Sequence, residues 1–170
     1  MALELARVKD FLRIEHARED ALLDGFVATA ASLCEAFTGR VLIERACRKT
    51  VAADGEWQRL AATPVKNVTA VSALPADGAA AVAMTPPAYE LMIDASGDGW
   101  VRGRMAGANR LRVSFVAGMV AEAGAVPEAL TQGMLRLVAH LYTHRDAAED
   151  KGPPAAVAAL WRPWRRMRLA

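Results

Sequence analysis

The sequence predicts an α+β protein: a helical bundle built from both ends of the chain, a small antiparallel β insertion between them, and an Arg/Trp-rich C-terminal tail. Three observations carry this. Apolar residues recur at three- and four-residue steps through residues 3–38 and again through 126–160. Between them, over 41–118, they tend to alternate and are broken by Gly, Pro, Asp and Asn. Past residue 160 the pattern stops, and residues 161–170 hold four arginines with no acidic side chain. At 170 residues the chain suits one domain, read as 1–160, with 161–170 as an appended partner-binding tail.

Two helices are expected first. Over 4–14, Leu5, Val8, Phe11 and Leu12 share a face. Over 19–38, Leu22, Leu23, Phe26, Val27, Ala30, Leu33, Cys34 and Phe37 form the clearest stripe in the chain, with Phe26 and Phe37 placed in the core. Glu19, Asp20 and Asp24 load acid at its start, where the helix dipole favours it, and Gly39 supplies a left-handed stop. Strands are expected at 45–52, 65–73, 89–93 and 110–117. The last is the cleanest, with Leu111, Val113 and Phe115 on one side and Arg110, Arg112 and Ser114 on the other. Asp77-Gly78 suits a hairpin turn. A long helix then opens at Pro127, whose missing N–H costs nothing at a first helical position, and buries Val126, Leu130, Met134, Leu137, Val138 and Leu141. A short last helix follows Gly152-Pro153 and stops at Pro163.

Composition narrows the functions. Alanine accounts for 37 residues, and the remaining apolar share is about a third, ordinary for a soluble protein. No run of about 18 apolar residues is evident, so no membrane partner is expected. The charged N-terminus excludes a secretory signal. Two cysteines, Cys34 and Cys47, are too few for a disulfide scaffold and fit a reducing cytoplasm. A net charge of +2 argues against a dedicated nucleic-acid binder. Removing Arg162, Arg165, Arg166 and Arg168 leaves the first 160 residues at −2, so the tail is electrically distinct.

Chemical templates fail one after another. His140 and His144 share a helix face, but Leu141 stands where a zinc protease needs its Glu. Asp94, Ser96, Asp98 and Gly99 echo a calcium loop, yet Met105 occupies the position of the closing Glu. Gly97, Gly99 and Gly103 lack dinucleotide spacing, and Cys34 lies within the apolar stripe. No metal, cofactor or catalytic set is assigned, and no enzyme is expected. Trp161 and Trp164 among arginines remain, since Trp and Arg dominate interface hot spots. A rival reading is nucleic-acid binding through the same tail with Arg102, Arg104, Arg110 and Arg112.

In order, the segments resemble the head–tail connector, or adaptor, family of tailed phages and gene transfer agents. The opening Val8-Lys9-Asp10-Phe11-Leu12-Arg13-Ile14 is similar to the family's start, as are Glu19-Asp20, Leu22-Leu23 and Thr38-Gly39-Arg40. Phe115-Val116-Ala117-Gly118, Val126-Pro127 and Leu137-Val138-Ala139-His140-Leu141-Tyr142 follow. Ala159-Leu160-Trp161-Arg162-Pro163-Trp164-Arg165 is similar to its close, while 52–110 matches only loosely. The resemblance implies a structural virion protein, assembled in the bacterial cytoplasm and sited at the head–tail junction. It would form a ring of about twelve copies beneath the portal protein. It would receive a stopper or head-completion protein on the tail side and let double-stranded DNA through its lumen unread. It also implies that Trp161, Arg162, Trp164, Arg165, Arg166, Arg168 and Leu169 meet the portal.

Overall fold

The computed structural model describes residues 3–144 and 152–166. The acidic stretch before Gly152 therefore lies outside the described residues, as do Arg168 and Leu169. Among the described residues, four α-helices and two antiparallel sheets make up an α+β fold. The chain divides into two compact units, one helical (Met1–Ile43 with Val120–Ala170) and one of strands (Glu44–Met119).

The helical unit contains α1 (Leu5–Leu12), α2 (Asp20–Thr38), α3 (Glu128–Thr143) and α4 (Ala155–Trp161). Helix α1 ends with Arg13 in the left-handed region (φ 58°); the amides of Arg13 and Ile14 donate back to Asp10 O and Lys9 O. That satisfies carbonyls otherwise orphaned at a helix end. Lys9 Nζ donates to Asp20 Oδ1 at 2.8 Å, tying α1 to the first turn of α2, and Tyr142 on α3 donates to Glu19 Oε2 at 2.7 Å. Gly39 (φ 69°) caps α2 and donates to Glu35 O at 2.8 Å.

The buried face of α2 is narrower than its apolar stripe. Leu23, Val27, Ala30 and Cys34 are enclosed, with Thr38 beside them. Phe26 and Phe37, expected in the core, are only partly buried, and Leu22 and Leu33 are exposed at 39% and 36%. The stripe wraps further round the helix than α1, α3 and α4 cover. By length and a mean hydropathy of 1.3 alone, helix α2 is apolar enough to cross a membrane. The expected stripe is enclosed at Val126, just before α3, and on α3 at Leu130, Met134, Leu137 and Val138, while Leu141 is partly buried.

Burial, aided by the neighbouring Glu35, pushes the Cys34 thiol up to about 12, so its reactive thiolate is scarce at ordinary pH. Cys47 is only partly buried. Alkylation of native protein at mildly basic pH is expected to modify Cys47 alone, and both cysteines after denaturation. Mass spectrometry reads the count, and rapid native modification of Cys34 would contradict its enclosure.

The strand unit is built from β1 (Arg45–Ala52), β2 (Gln58–Arg59), β3 (Val65–Pro75), β4 (Val82–Ala83), β5 (Tyr89–Ile93), β6 (Gly99–Gly103) and β7 (Ala108–Ala117). One sheet runs β1-β7-β3-β4, the other β2-β6-β5. Leu60, Val65, Val71, Val101, Leu111, Val113 and Phe115 form the core of this unit. The four strands read from the sequence are all present. The short strands β2, β4 and β6 were not foreseen, because β6 opens and closes on glycines that read as loop. Those glycines serve close approach. A Cβ at Gly99 would lie 2.8 Å from Val65 Cγ2 and 2.9 Å from Leu60 Cδ1. Asp77-Gly78 does lie in the β3–β4 hairpin, with Gly78 at φ 81°.

Candidate functional site

The segment expected to bind a partner begins inside the core. Trp161 is fully enclosed, and its indole N–H donates to Leu130 O at 3.3 Å. The ring lies on α3 at Gly133, where a Cβ would collide with Trp161 Nε1. Phe37 tilts against it at 5.8 Å between centroids. The reading of Trp161 as part of an accessible tail is thus corrected. A large aromatic finds room because α3 carries no side chain at 133, a pairing that spacing within either segment does not reveal.

Beyond Trp161 the chain makes one 3-10 turn, Arg162–Trp164, and runs along the C-terminal end of α2. Trp164 O accepts from Arg40 Nε at 3.2 Å, and the Arg166 amide donates to Thr38 O at 3.0 Å. The Arg165 guanidinium lies 5.8 Å from the Phe37 ring centroid. Cationic side chains thus collect where the helix dipole is negative, and the backbone is held at two points. Arg162 and Arg165 are exposed, while Trp164 and Arg166 are partly so. Four of the seven expected residues are therefore exposed or partly exposed within one short segment. Trp161 lies beneath it, and Arg168 and Leu169 fall outside the described residues.

The other arginines divide sharply. Arg102 pairs with Glu90 at 2.7 Å and lies 4.8 Å from the Trp57 ring centroid. Arg104 donates to Asp54 O at 2.7 Å, and Arg59 to Asp98 Oδ1 at 2.7 Å. Arg48, Arg110 and Arg112 make no ion pair among the described residues. Sequence reading singled out Arg110 and Arg112 but missed Arg48, which only the β1–β7 register brings to them.

The calcium-like loop is a self-contained turn. Asp94 Oδ1 accepts the amides of Ser96 (2.8 Å) and Asp98 (2.9 Å), and Asp98 is committed to Arg59. His140 and His144 stack at 4.4 Å between ring centroids. Among the described residues no cluster of three His, Cys, Asp or Glu side chains could hold a metal ion.

No protein-family model matches the chain, and no curated relative matches it either. Solved structures do. A chain in the neck of an empty gene transfer agent particle, computed with C6 symmetry, is 26% identical with a TM-score of 0.79. The match covers 99% of this chain and 92% of that one. A chain of the native gene transfer agent virion is 29% identical, with a TM-score of 0.78 and the same coverages. A third, from the native neck computed with C12 symmetry, is 26% identical, with a TM-score of 0.75, covering 99% of this chain and 91% of that one. The protein thus shares a fold with structural components of gene transfer agent particles. These neighbours support a structural role in the head–tail neck of such a particle.

Proposed function

We propose that this chain is a head–tail adaptor of a gene transfer agent or tailed-phage particle. It forms a ring, twelvefold, beneath the portal protein. On the tail side it receives a stopper or head-completion protein, and double-stranded DNA passes through the lumen unread. The observation carrying this reading is likeness over 99% of the chain to chains of gene transfer agent particles, two from necks. The rotational symmetry of those necks supports one repeated head-to-tail contact that closes on itself. The protein assembles in the bacterial cytoplasm and ends at the head–tail junction. Contact with the portal falls to Arg162, Trp164, Arg165 and Arg166, which Arg168 and Leu169 extend in sequence. Trp161 supports this segment from below.

Two experiments test this. In a particle-producing strain lacking the chain, electron micrographs are expected to show heads and tails unjoined. Joined particles would overturn the reading. For the portal contact, protein ending at Trp161 keeps the core aromatic and loses only the surface segment, so portal pull-down should fail while the helical circular dichroism signal persists. Arg165→Lys with Arg166→Lys should weaken docking about tenfold, because lysine keeps charge and loses the paired geometry of guanidinium. Wild-type docking by the shortened protein would move the anchor to the helical body.

A further inference from the structure

The four-stranded sheet is segregated in charge. Strands β1, β3, β4 and β7 contain Arg45, Arg48, Lys49, Lys66, Arg110 and Arg112 and no acidic residue. This occurs in a chain whose basic and acidic residues nearly balance, 21 to 19. All seven carboxylates of the strand unit lie elsewhere, in the other sheet or in loops and turns. They are Glu44, Asp54, Glu56, Asp77, Glu90, Asp94 and Asp98.

The register brings three of these, Arg48, Arg110 and Arg112, to one face. Arg48 pairs across with Ser114, Thr50 with Arg112, and Ala52 with Arg110. On the other side of β7, Ser114 faces Ala70, Arg112 faces Ser72, and Arg110 faces Leu74. This is the side opposite Leu111, Val113 and Phe115, which fill the core. Arg48, Thr50 and Arg110 are exposed, and Arg112 and Ser114 partly so. Strand spacing puts the three arginines within about 15 Å of one another, with small or hydroxyl-bearing residues between them. Such a face offers guanidinium forks and hydroxyl donors, and no carboxylate on its strands repels an anion.

Resting on the adaptor reading, we infer that this face is the surface of the strand unit that meets the phosphate backbone of DNA passing through the neck. Charge complementarity selects the partner: a duplex presents a continuous row of phosphates, and flat, sequence-blind contact needs only guanidinium and hydroxyl groups. Arg102 and Arg104 take no part, because Glu90 and the Asp54 carbonyl hold them.

The test uses the free full-length protein and a short labelled duplex of arbitrary sequence, read by fluorescence anisotropy. Three phosphate contacts should lower the association constant about 40-fold between about 50 and about 200 mM salt. Arg48→Gln, Arg110→Gln and Arg112→Gln combined should remove most of the binding and flatten the salt dependence. Arg102→Gln with Arg104→Gln should leave both unchanged, and a thermal melt confirms that each variant is folded. No binding by the wild type at low salt would overturn the inference, as would a triple variant that binds DNA normally. In particles, the triple variant should still join heads to tails but deliver less DNA. If it fails to enter necks and keeps wild-type duplex binding, the face docks a protein and the inference falls while the adaptor reading stands. Absence of even the wild-type chain from necks would overturn the adaptor reading instead.

Discussion

Trp161→Ala should destabilise the helical unit by about 3–5 kcal/mol, the usual cost of removing a large enclosed aromatic. Three losses combine. The indole leaves a cavity between α3 and α4 that Gly133, having no side chain, cannot fill. Leu130 O loses the donor that reaches it from the indole N–H. Phe37, already only partly buried, loses the ring against which it tilts. Urea denaturation followed through the helical circular dichroism signal measures the effect. A cost below about 1 kcal/mol would mean that the indole is not anchoring α4. The same result is expected to appear in any truncation before Trp161, which would then lose portal docking through unfolding and reveal nothing about the surface segment.

Gly133→Ala should be harmful for the reciprocal reason. Considered as an isolated helix position, the change ought to stabilise α3 by about 1 kcal/mol, since alanine is the better helix former. The new methyl, however, would collide with Trp161 Nε1. Helix or indole must move, and overpacking of this kind costs about 1–3 kcal/mol. The diagnostic is a reversal of sign. With Trp161→Ala already in place, the obstruction is gone and Gly133→Ala should become neutral or stabilising. Measuring the double-mutant cycle by urea denaturation isolates this coupling. Additive effects of the two substitutions would deny the close packing.

These two residues also mark where sequence reading stopped. The helices were legible because a periodic stripe registers within a single segment. The stripe over 19–38 located α2, and Leu130, Met134, Leu137 and Val138 located the face of α3. What a stripe does not report is how wide a face the neighbours cover, so Phe26 and Phe37 were placed deeper than they lie. Nor does it report the partner of an aromatic on another segment. Trp161 sits among arginines, and that local company suggested a surface role until α3 supplied its cavity. The glycines at 99 and 103 misled in the opposite direction. Breakers in most contexts, here they let β6 approach the facing sheet. Arg48 was passed over because its companions lie some sixty residues away and only strand register unites them. The resemblance to connectors rested on the order of many weak segments; no family model matches, and the likeness of shape is to chains of gene transfer agent necks and virions.

Where the chain leaves the helical unit and where it returns are joined directly. The Val120 amide donates to Leu42 O at 3.2 Å, and Ile43 and Val120 form a parallel bridge. To the helices, the whole of Glu44–Met119 is therefore a single loop whose two ends are already pinned together. Loop-closure entropy grows only with the logarithm of length, so the helical unit is almost indifferent to how long that loop is or what it contains. The strand unit thus leaves and re-enters the helices through one pinned gate. Lengthening that loop would add little to the entropic cost of holding its two ends together.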